Sequence, residues 1–330
     1  MNRSITYFFR HPAGGFSIAK VSRIFVDHFA QVRKVRQLTL PFHNTGISAV
    51  FKNLVYTYRH RDRQGINHLT GDSHYIILAL LGCRSVLTVH DMSMLDNQTS
   101  SLKYLFFKYA YFVLPLRFAS RVVCISEATR RSVLRFTSRT DIEVIPDAVD
   151  TSIFHPSPKT FDTDCPRILM IGTGWNKNVE REIRALQGIS CCLLIVGQLT
   201  PDINRALEET QARYEHFQNL SDEEIFGLYC QSDLVLFCSF YEGFGMPVIE
   251  ANMTGRPVIT SYIHPLIDVA SDAACFVKHP DNVQEIRQAV LKVLGDSSYR
   301  DRLVENGRRN VERFLPSIVT DAYARVYDSL

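Results

Sequence analysis

Short apolar runs that do not alternate in polarity recur between amphipathic segments, and they do so twice along the chain. In the first half 5-ITYFF-9, 85-SVLTV-89, 121-RVVCI-125 and 142-IEVI-145 have this character. In the second half 167-RILMI-171, 191-CCLLIV-196, 234-LVLF-237 and 257-PVIT-260 repeat it. A strand with a solvent face alternates, so runs without alternation are covered on both faces, and with helices between them they belong to parallel sheets. Ile18, Val21, Phe25, Phe29 and Val32, three and four apart, predict a helix after the first run. Ser221 and Glu224 match a capping box ahead of Ile225 and Leu228. At 330 residues the chain exceeds the usual single domain. The stretch 146-PDAVDTSIFHPSPKTFDTDCP-166, rich in Pro, Asp, Ser and Thr, has the composition of a connector. The expected division is therefore a first α/β domain over 1–155, a linker over 156–166, a second α/β domain over 167–315, and a terminal helix over 316–330 that packs back on the first domain.

Charge is distributed unevenly. Residues 1–165 carry 21 Lys+Arg against 12 Asp+Glu, and residues 166–330 carry 16 against 22. A basic front half points to an anionic partner or surface. The apolar run 104-YLFFKYAYFVLPL-116 is interrupted by Lys108 and is too short to span a bilayer. The opening residues 1-MNRSITYFFRHP-12 lack the apolar core of a leader. Eight cysteines without a Cys-x-x-Cys pair fit a reducing cytosol. The expectation is a cytoplasmic protein, or one peripheral on the inner face of a membrane.

The densest chemistry lies in 239-SFYEGFGMPVIEANMTGRPVITS-261. The strand ends near Phe237, the loop runs to Met246, and Pro247 suits a first helical turn. Gly243 and Gly245 allow close approach of the backbone, and amides around Phe244 to Val248 at a helix N-terminus favour an anion such as phosphate. Glu242 before this site and Glu250 after it are placed to accept hydroxyls on either side. A nucleotide sugar offers both.

With these residues on the page, the Glu-x7-Glu wording YEGFGMPVIEANMTGRPVITS is similar to that of the retaining GT-B glycosyltransferases of family 4, most strongly over residues 165–290. The resemblance implies an α/β fold with two Rossmann-like domains whose parallel sheets face each other across a cleft, the acceptor domain first and the nucleotide-sugar domain second. It implies that Glu242 approaches the donor sugar, that Glu250 binds the ribose, and that Gly243, Phe244, Gly245, Met246 and Pro247 line the donor. In 168-ILMIGTGWNKN-178 a strand and a glycine turn bring Lys177 over the donor diphosphate, with Gly172, Thr173 and Asn178 beside it. Thr173 stands where the family commonly has arginine. Gly172-x-Gly174 also opens a dinucleotide fingerprint, but the third glycine is missing and no acid ends the next strand.

In 11-HPAGGFSIAK-20, Gly14 and Gly15 resemble the family's N-terminal loop over the donor phosphates, a plain strand-to-helix turn being the alternative. His90, in 86-VLTVHDMS-93, sits at a strand's carboxyl end, where ligands collect in open parallel sheets. The family's histidine there contacts the transferred sugar. The resemblance thus makes His90, Glu242 and Lys177 the catalytic candidates and His90, Asp91, Ser126 and Arg130 the acceptor side. Ser126 also reads as an N-cap. The segment 144-VIPDAVD-150 resembles a signature that usually carries Asn-Gly, where this chain has Asp147-Ala148. Asp162-Thr163-Asp164 mimics a metal-binding Asp-x-Asp but reads as solvated, and no metal or cofactor is implied beyond the nucleotide sugar. The helix 101-SLKYLFFKYAYFVLPLRF-118 is either buried or dips into a membrane surface.

The activity implied is transfer of a hexose from GDP-mannose or a UDP-sugar to a hydroxyl of a glycan or lipid-linked acceptor, with retention, in bacterial cell-surface polysaccharide or lipopolysaccharide synthesis. No nucleic acid is implied. The alternatives are a non-catalytic nucleotide-sugar-binding subunit and an epimerase or phosphorylase on the same fold.

Overall fold

The computed structural model describes residues 3–14, 17–43, 46–92 and 101–330. The chain forms two compact units, residues 1–148 with 315–330, and residues 149–314.

The first unit is built on β1 (Ile5–Phe9), β2 (Val35–Thr39), β3 (Ile66–Leu69), β4 (Arg84–Val89), β5 (Arg121–Cys124) and β6 (Ile142–Val144), in the order β2-β1-β3-β4-β5-β6. The second contains β7 (Arg167–Ile171), β8 (Cys192–Val196), β9 (Arg213–Phe217), β10 (Leu234–Phe237), β11 (Val258–Ser261) and β12 (Cys275–Val277), in the order β12-β11-β10-β7-β8-β9. Every pairing in both sheets is parallel. In the second sheet the winding reverses between β7 and β10, where ligands bind in open α/β sheets. These two strands pair only through Leu234 with Ile168 and Val235 with Leu169 before they part.

Runs without polar alternation were legible, and β1, β7 and β10 fall on the expected residues. Four strands carry no such run. β2 and β9 are sheet edges with mostly exposed side chains, so their sequences look polar. β12 has three residues. β3 is wholly buried yet contains Asn67 and His68. Asn67 closes on the Asp62 backbone, accepting from its N–H at 2.8 Å and donating to its carbonyl at 2.7 Å. His68 meets Tyr327 Oη at 2.6 Å and Thr88 Oγ1 at 2.8 Å.

The domain limits also move. Residues 156–166 belong to the second unit rather than forming a linker. Phe154 lies edge-on to Phe226 and Tyr229 just before them, while Lys159 and the Asp162 amide bind the buried Asp233. The Asp162 carboxylate accepts from the Asp164 and Cys165 amides, which uses it within its own turn. The helix Pro316–Asp328 is part of the first unit, where Val319, Tyr323, Val326 and Tyr327 pack with Tyr7, Phe25, Val26 and Phe29. Phe25 and Tyr323 stack at 4.4 Å. In the helix Ser17–Ala30, Val21, Phe25 and Phe29 are buried as the spacing requires, but Val32 lies past its end and is 64% exposed.

The aromatic segment is helical over Ser101–Phe107, passes through a π turn at Lys108–Val113, and continues over Leu114–Phe118. Phe107, Tyr111, Phe112 and Leu116 are buried, whereas Tyr104, Leu105, Phe106 and Tyr109 are exposed. Among the described residues no helix is long and apolar enough to cross a membrane.

Candidate active site

The loops that follow β7 and β10 meet where those strands part. Gly172 (φ +84°) turns the chain out of β7, and its missing Cβ leaves room for the stem of Lys177, whose Cε would lie only 3.0 Å from such an atom. A one-turn helix, Trp175–Lys177, then presents three successive residues to the second loop. Asn176 donates to the Tyr241 carbonyl at 2.8 Å and accepts from the Phe240 amide at 2.8 Å. The Lys177 ammonium donates to Glu242 Oε1 at 2.6 Å and sits over the Phe237 ring. Asn178, left-handed and 3% exposed, donates to the carbonyls of Cys238 and Pro280.

The Cys238 N–H has no strand partner, because β7 has already diverged. It donates instead to the carboxyl of Glu182, a side chain 1% exposed on the helix Val179–Ala185. Burial pushes Glu182 up to about 8, against the Cys238 amide and the Lys177 charge, which favour ionisation. Glu182 falls on the apolar phase of its helix with Val179 and Ile183. An acid at that phase is the signal of this role that the sequence carries.

The second loop enters the helix Met246–Thr254 at Gly245, where φ is +117° and a Cβ would fall 2.5 Å from Leu266 Cδ2, so a side chain is excluded. Pro247 lies in the first turn, as its missing N–H favours. Glu250 accepts from the hydroxyl of the buried Tyr229 at 2.8 Å. Phe244 is buried edge-on against Phe314. The ammonium and the helix N-terminus therefore stand at one end of the sheet with a carboxylate on either side, an arrangement whose charges suit an anion flanked by hydroxyl-bearing groups. A cavity of about 640 Å³ lies at the opposite, amino end of this sheet. Its cations are already used: Lys159 by Asp233, Arg256 by the Tyr229, Ser157 and Cys230 carbonyls, Arg300 by the Val293 and Leu294 carbonyls, and Arg308 by Glu305.

In the first unit His90 follows β4 and is 6% exposed. Its Nε2 meets the Thr70 carbonyl at 3.0 Å and its Nδ1 lies 3.7 Å from Asp147 Oδ2. Arg10, at the end of β1, pairs with Asp72 at 2.8 Å.

A model described as Glycosyl transferases group 1 matches residues 154–310, and one described as Glycosyltransferase Family 4 matches residues 19–153. The chain belongs to glycosyltransferase family 4. A 112-residue stretch is 33% identical to the O-antigen chain mannosyltransferase B of Escherichia coli, covering 34% of this chain and 29% of that one. A stretch of the same length is 33% identical to the MMP α-(1→4)-mannosyltransferase of Mycolicibacterium hassiacum, covering 33% and 27%. The matched stretch thus spans less than a third of either relative. Similarity to solved structures extends along the whole chain: Anabaena HepE in complex with UDP-glucose aligns with a TM-score of 0.79 at 17% identity, over 99% of this chain and 100% of that one. WaaG, a glycosyltransferase involved in lipopolysaccharide biosynthesis, aligns with a TM-score of 0.69 at 16% identity, over 96% and 99%. At such identity the likeness establishes the fold, which is GT-B.

Within this family 4 chain the expected donor residues Gly172, Thr173, Lys177, Glu242, Gly243, Gly245, Met246, Pro247 and Glu250 lie on the two loops and the helix they lead into. Asn178 and Phe244 lie there too, with buried side chains: Asn178 ties the Cys238 and Pro280 carbonyls together and Phe244 packs on Phe314. Ser126 is 4% exposed and caps the helix Glu127–Val133, accepting from the Thr129 amide at 3.1 Å. The cap agrees with its reading as an N-cap. Arg130 pairs with Glu127 at 2.9 Å on the same helix. Asp91 directly follows His90, and Gly14 ends the turn Pro12–Gly14. Gly15 lies outside the described residues.

Proposed function

We propose that this family 4 protein transfers a hexose from a nucleotide diphosphate sugar, GDP-mannose or a UDP-sugar, to a hydroxyl of a glycan or lipid-linked acceptor, with retention and without a metal, in cell-surface polysaccharide or lipopolysaccharide synthesis. The observation that carries the reading is the Lys177 ammonium beside the helix N-terminus, between Glu242 and Glu250, at the winding reversal of the second sheet. The relatives named as mannosyltransferases and the structure named with UDP-glucose support the donor class.

Lys177 and the helix amides offset charge that develops on the departing diphosphate. Glu242 neutralises Lys177 in the absence of ligand and turns to sugar hydroxyls when the diphosphate takes over the ammonium. Glu250 accepts the ribose hydroxyls. The acceptor oxygen bonds to the anomeric carbon on the face that the phosphate leaves, and the acceptor proton passes to that phosphate.

Binding is read by calorimetry with UDP, GDP and ADP, or through Trp175, the chain's one tryptophan, which is 82% exposed beside Lys177. Glu250→Ala is expected to weaken the bound nucleotide roughly 10- to 100-fold, since a hydrogen bond to a charged group is worth about 1.5–3 kcal/mol. No heat with any of the three nucleotides would sink the reading. Anomeric NMR of the product tests retention, and loss of turnover under chelator would refute metal independence.

Contact with an anionic lipid surface is also proposed. Exposed Tyr104, Leu105, Phe106 and Tyr109 share a helical segment with Lys103, Lys108 and Arg117, the pattern of an interfacial helix. Cosedimentation with vesicles containing phosphatidylglycerol is expected and should fall when Leu105 and Phe106 become Ser. Equal sedimentation of both proteins would refute it.

A further inference from the structure

Three histidines lie buried in the first unit, and their ring nitrogens meet different chemistry. His68 on β3 meets, among the described residues, the hydroxyls of Tyr327 and Thr88, and burial pushes it down to about 3. His74, in the turn His74–Leu80, has its Nδ1 2.9 Å from the Tyr111 carbonyl and is likewise lowered by burial, although Asp72 and Asp91 act against it. His90 is as deeply buried, but a carboxylate faces its Nδ1. Asp147, in the segment that leaves β6, lies 3.7 Å away, and both side chains are less than a tenth exposed. The carbonyl of Thr70 accepts from Nε2 at 3.0 Å.

We propose that Asp147 is a positioning residue for His90, its carboxylate facing Nδ1 while the Thr70 carbonyl engages Nε2, so that the ring stands as an imidazolium at the carboxyl end of the first sheet. A carboxylate buried to this extent is costly unless a cation pairs with it, and a buried imidazolium needs an anion in the same way. The two groups are stable there as a pair. The carbonyl at Nε2 has no proton to give, so the ring must donate at that nitrogen, and the carboxylate at Nδ1 favours a second proton on the other. The groups that face His90 are Asp147 from the segment after β6, Asp91 beside it, Thr70 after β3, and the rings of His68 and His74, which lie close enough to sense its charge. Asp147, Asp91 and the Thr70 carbonyl together outweigh burial, so His90 is raised from its ordinary 6.5. The charge, and the stability that goes with it, is fully present below pH 6.5 and is lost as pH rises through the raised value of the folded state. Its effect on turnover rests on the proposed transferase reading; its existence does not.

The test is a histidine NMR titration of the full chain and of Asp147→Asn, with His90→Gln assigning the resonance. His90 is expected to titrate above 6.5 in the parent and at least about one pH unit lower in Asp147→Asn, since an opposite charge at this distance moves a group by about 1–3 units. Asp147→Glu, which keeps the charge, is expected to keep the high value and serves if the asparagine variant does not fold. The alkaline limb of kcat/KM should move down with the titration. Equal titration in parent and Asp147→Asn, or a fall in Asp147→Glu, would overturn the pair. A shifted titration without turnover of any nucleotide sugar would remove the transferase reading and leave the pair standing.

Discussion

Replacing Lys177 by alanine is expected to lower kcat roughly 100- to 1000-fold, the usual cost of losing one preorganised group aimed at developing charge, while the donor KM rises less than tenfold. Lys177 is fixed from three sides: its stem lies over Gly172, its head over the Phe237 ring, and its ammonium against Glu242. None of this requires a ligand, so the charge is in place before the diphosphate arrives. In the proposed transfer the diphosphate is already anionic in the ground state, but the bond to the sugar breaks by adding charge to it, and a fixed ammonium favours the later state more. Initial rates at saturating donor measure the effect, with thermal unfolding as a control for the loss of the ion pair. A kcat within a few fold of the parent would remove Lys177 from the transfer step.

Deleting residues 315–330 is expected to abolish cooperative folding of the first unit. Val319, Tyr323, Val326 and Tyr327 are each at most 2% exposed. Burying such side chains stabilises by roughly 1.5–3 kcal/mol each, so the four together supply about 6–12 kcal/mol against a typical total of about 5–15 kcal/mol. The deletion also strips His68 and Tyr7 of their partner hydroxyl on Tyr327. Tyr327→Phe isolates that polar part. It keeps the ring stacked near Tyr323 but orphans His68 Nδ1, and should cost about 1–3 kcal/mol in urea denaturation. A truncated chain that still melts in one sharp transition would contradict the placement of this helix.

Much of the architecture was legible because its signals are local. Unalternating apolar runs marked β1, β7 and β10. Ser221 caps its helix with Glu224 answering the Ser221 amide, as their spacing requires. The glycine loop was legible for a related reason: Gly245 adopts a backbone conformation that few other residues tolerate, and the proline after it starts the helix. The two glutamates around that loop could be picked out because nothing in the strand-turn-helix pattern needs them.

What was not legible depends on partners remote in the chain. The polar look of β3 concealed a buried strand, because His68 is satisfied by Tyr327, 259 residues away. Glu182 reads as an ordinary helical acid until β7 and β10 part and leave the Cys238 amide for it to receive. Asp147 reads as a departure in a turn signature until His90 is found opposite its carboxylate. Sequence alone determined the strand-helix alternation, the two α/β units and the loop chemistry around Glu242 and Glu250, since these follow from periodicity, backbone freedom and residue type. Only the tertiary structure decided where one unit hands over to the other and which partner each buried polar group meets. Burial costs a polar side chain its water, and the partner that makes up the loss is set by the fold rather than by neighbours along the chain.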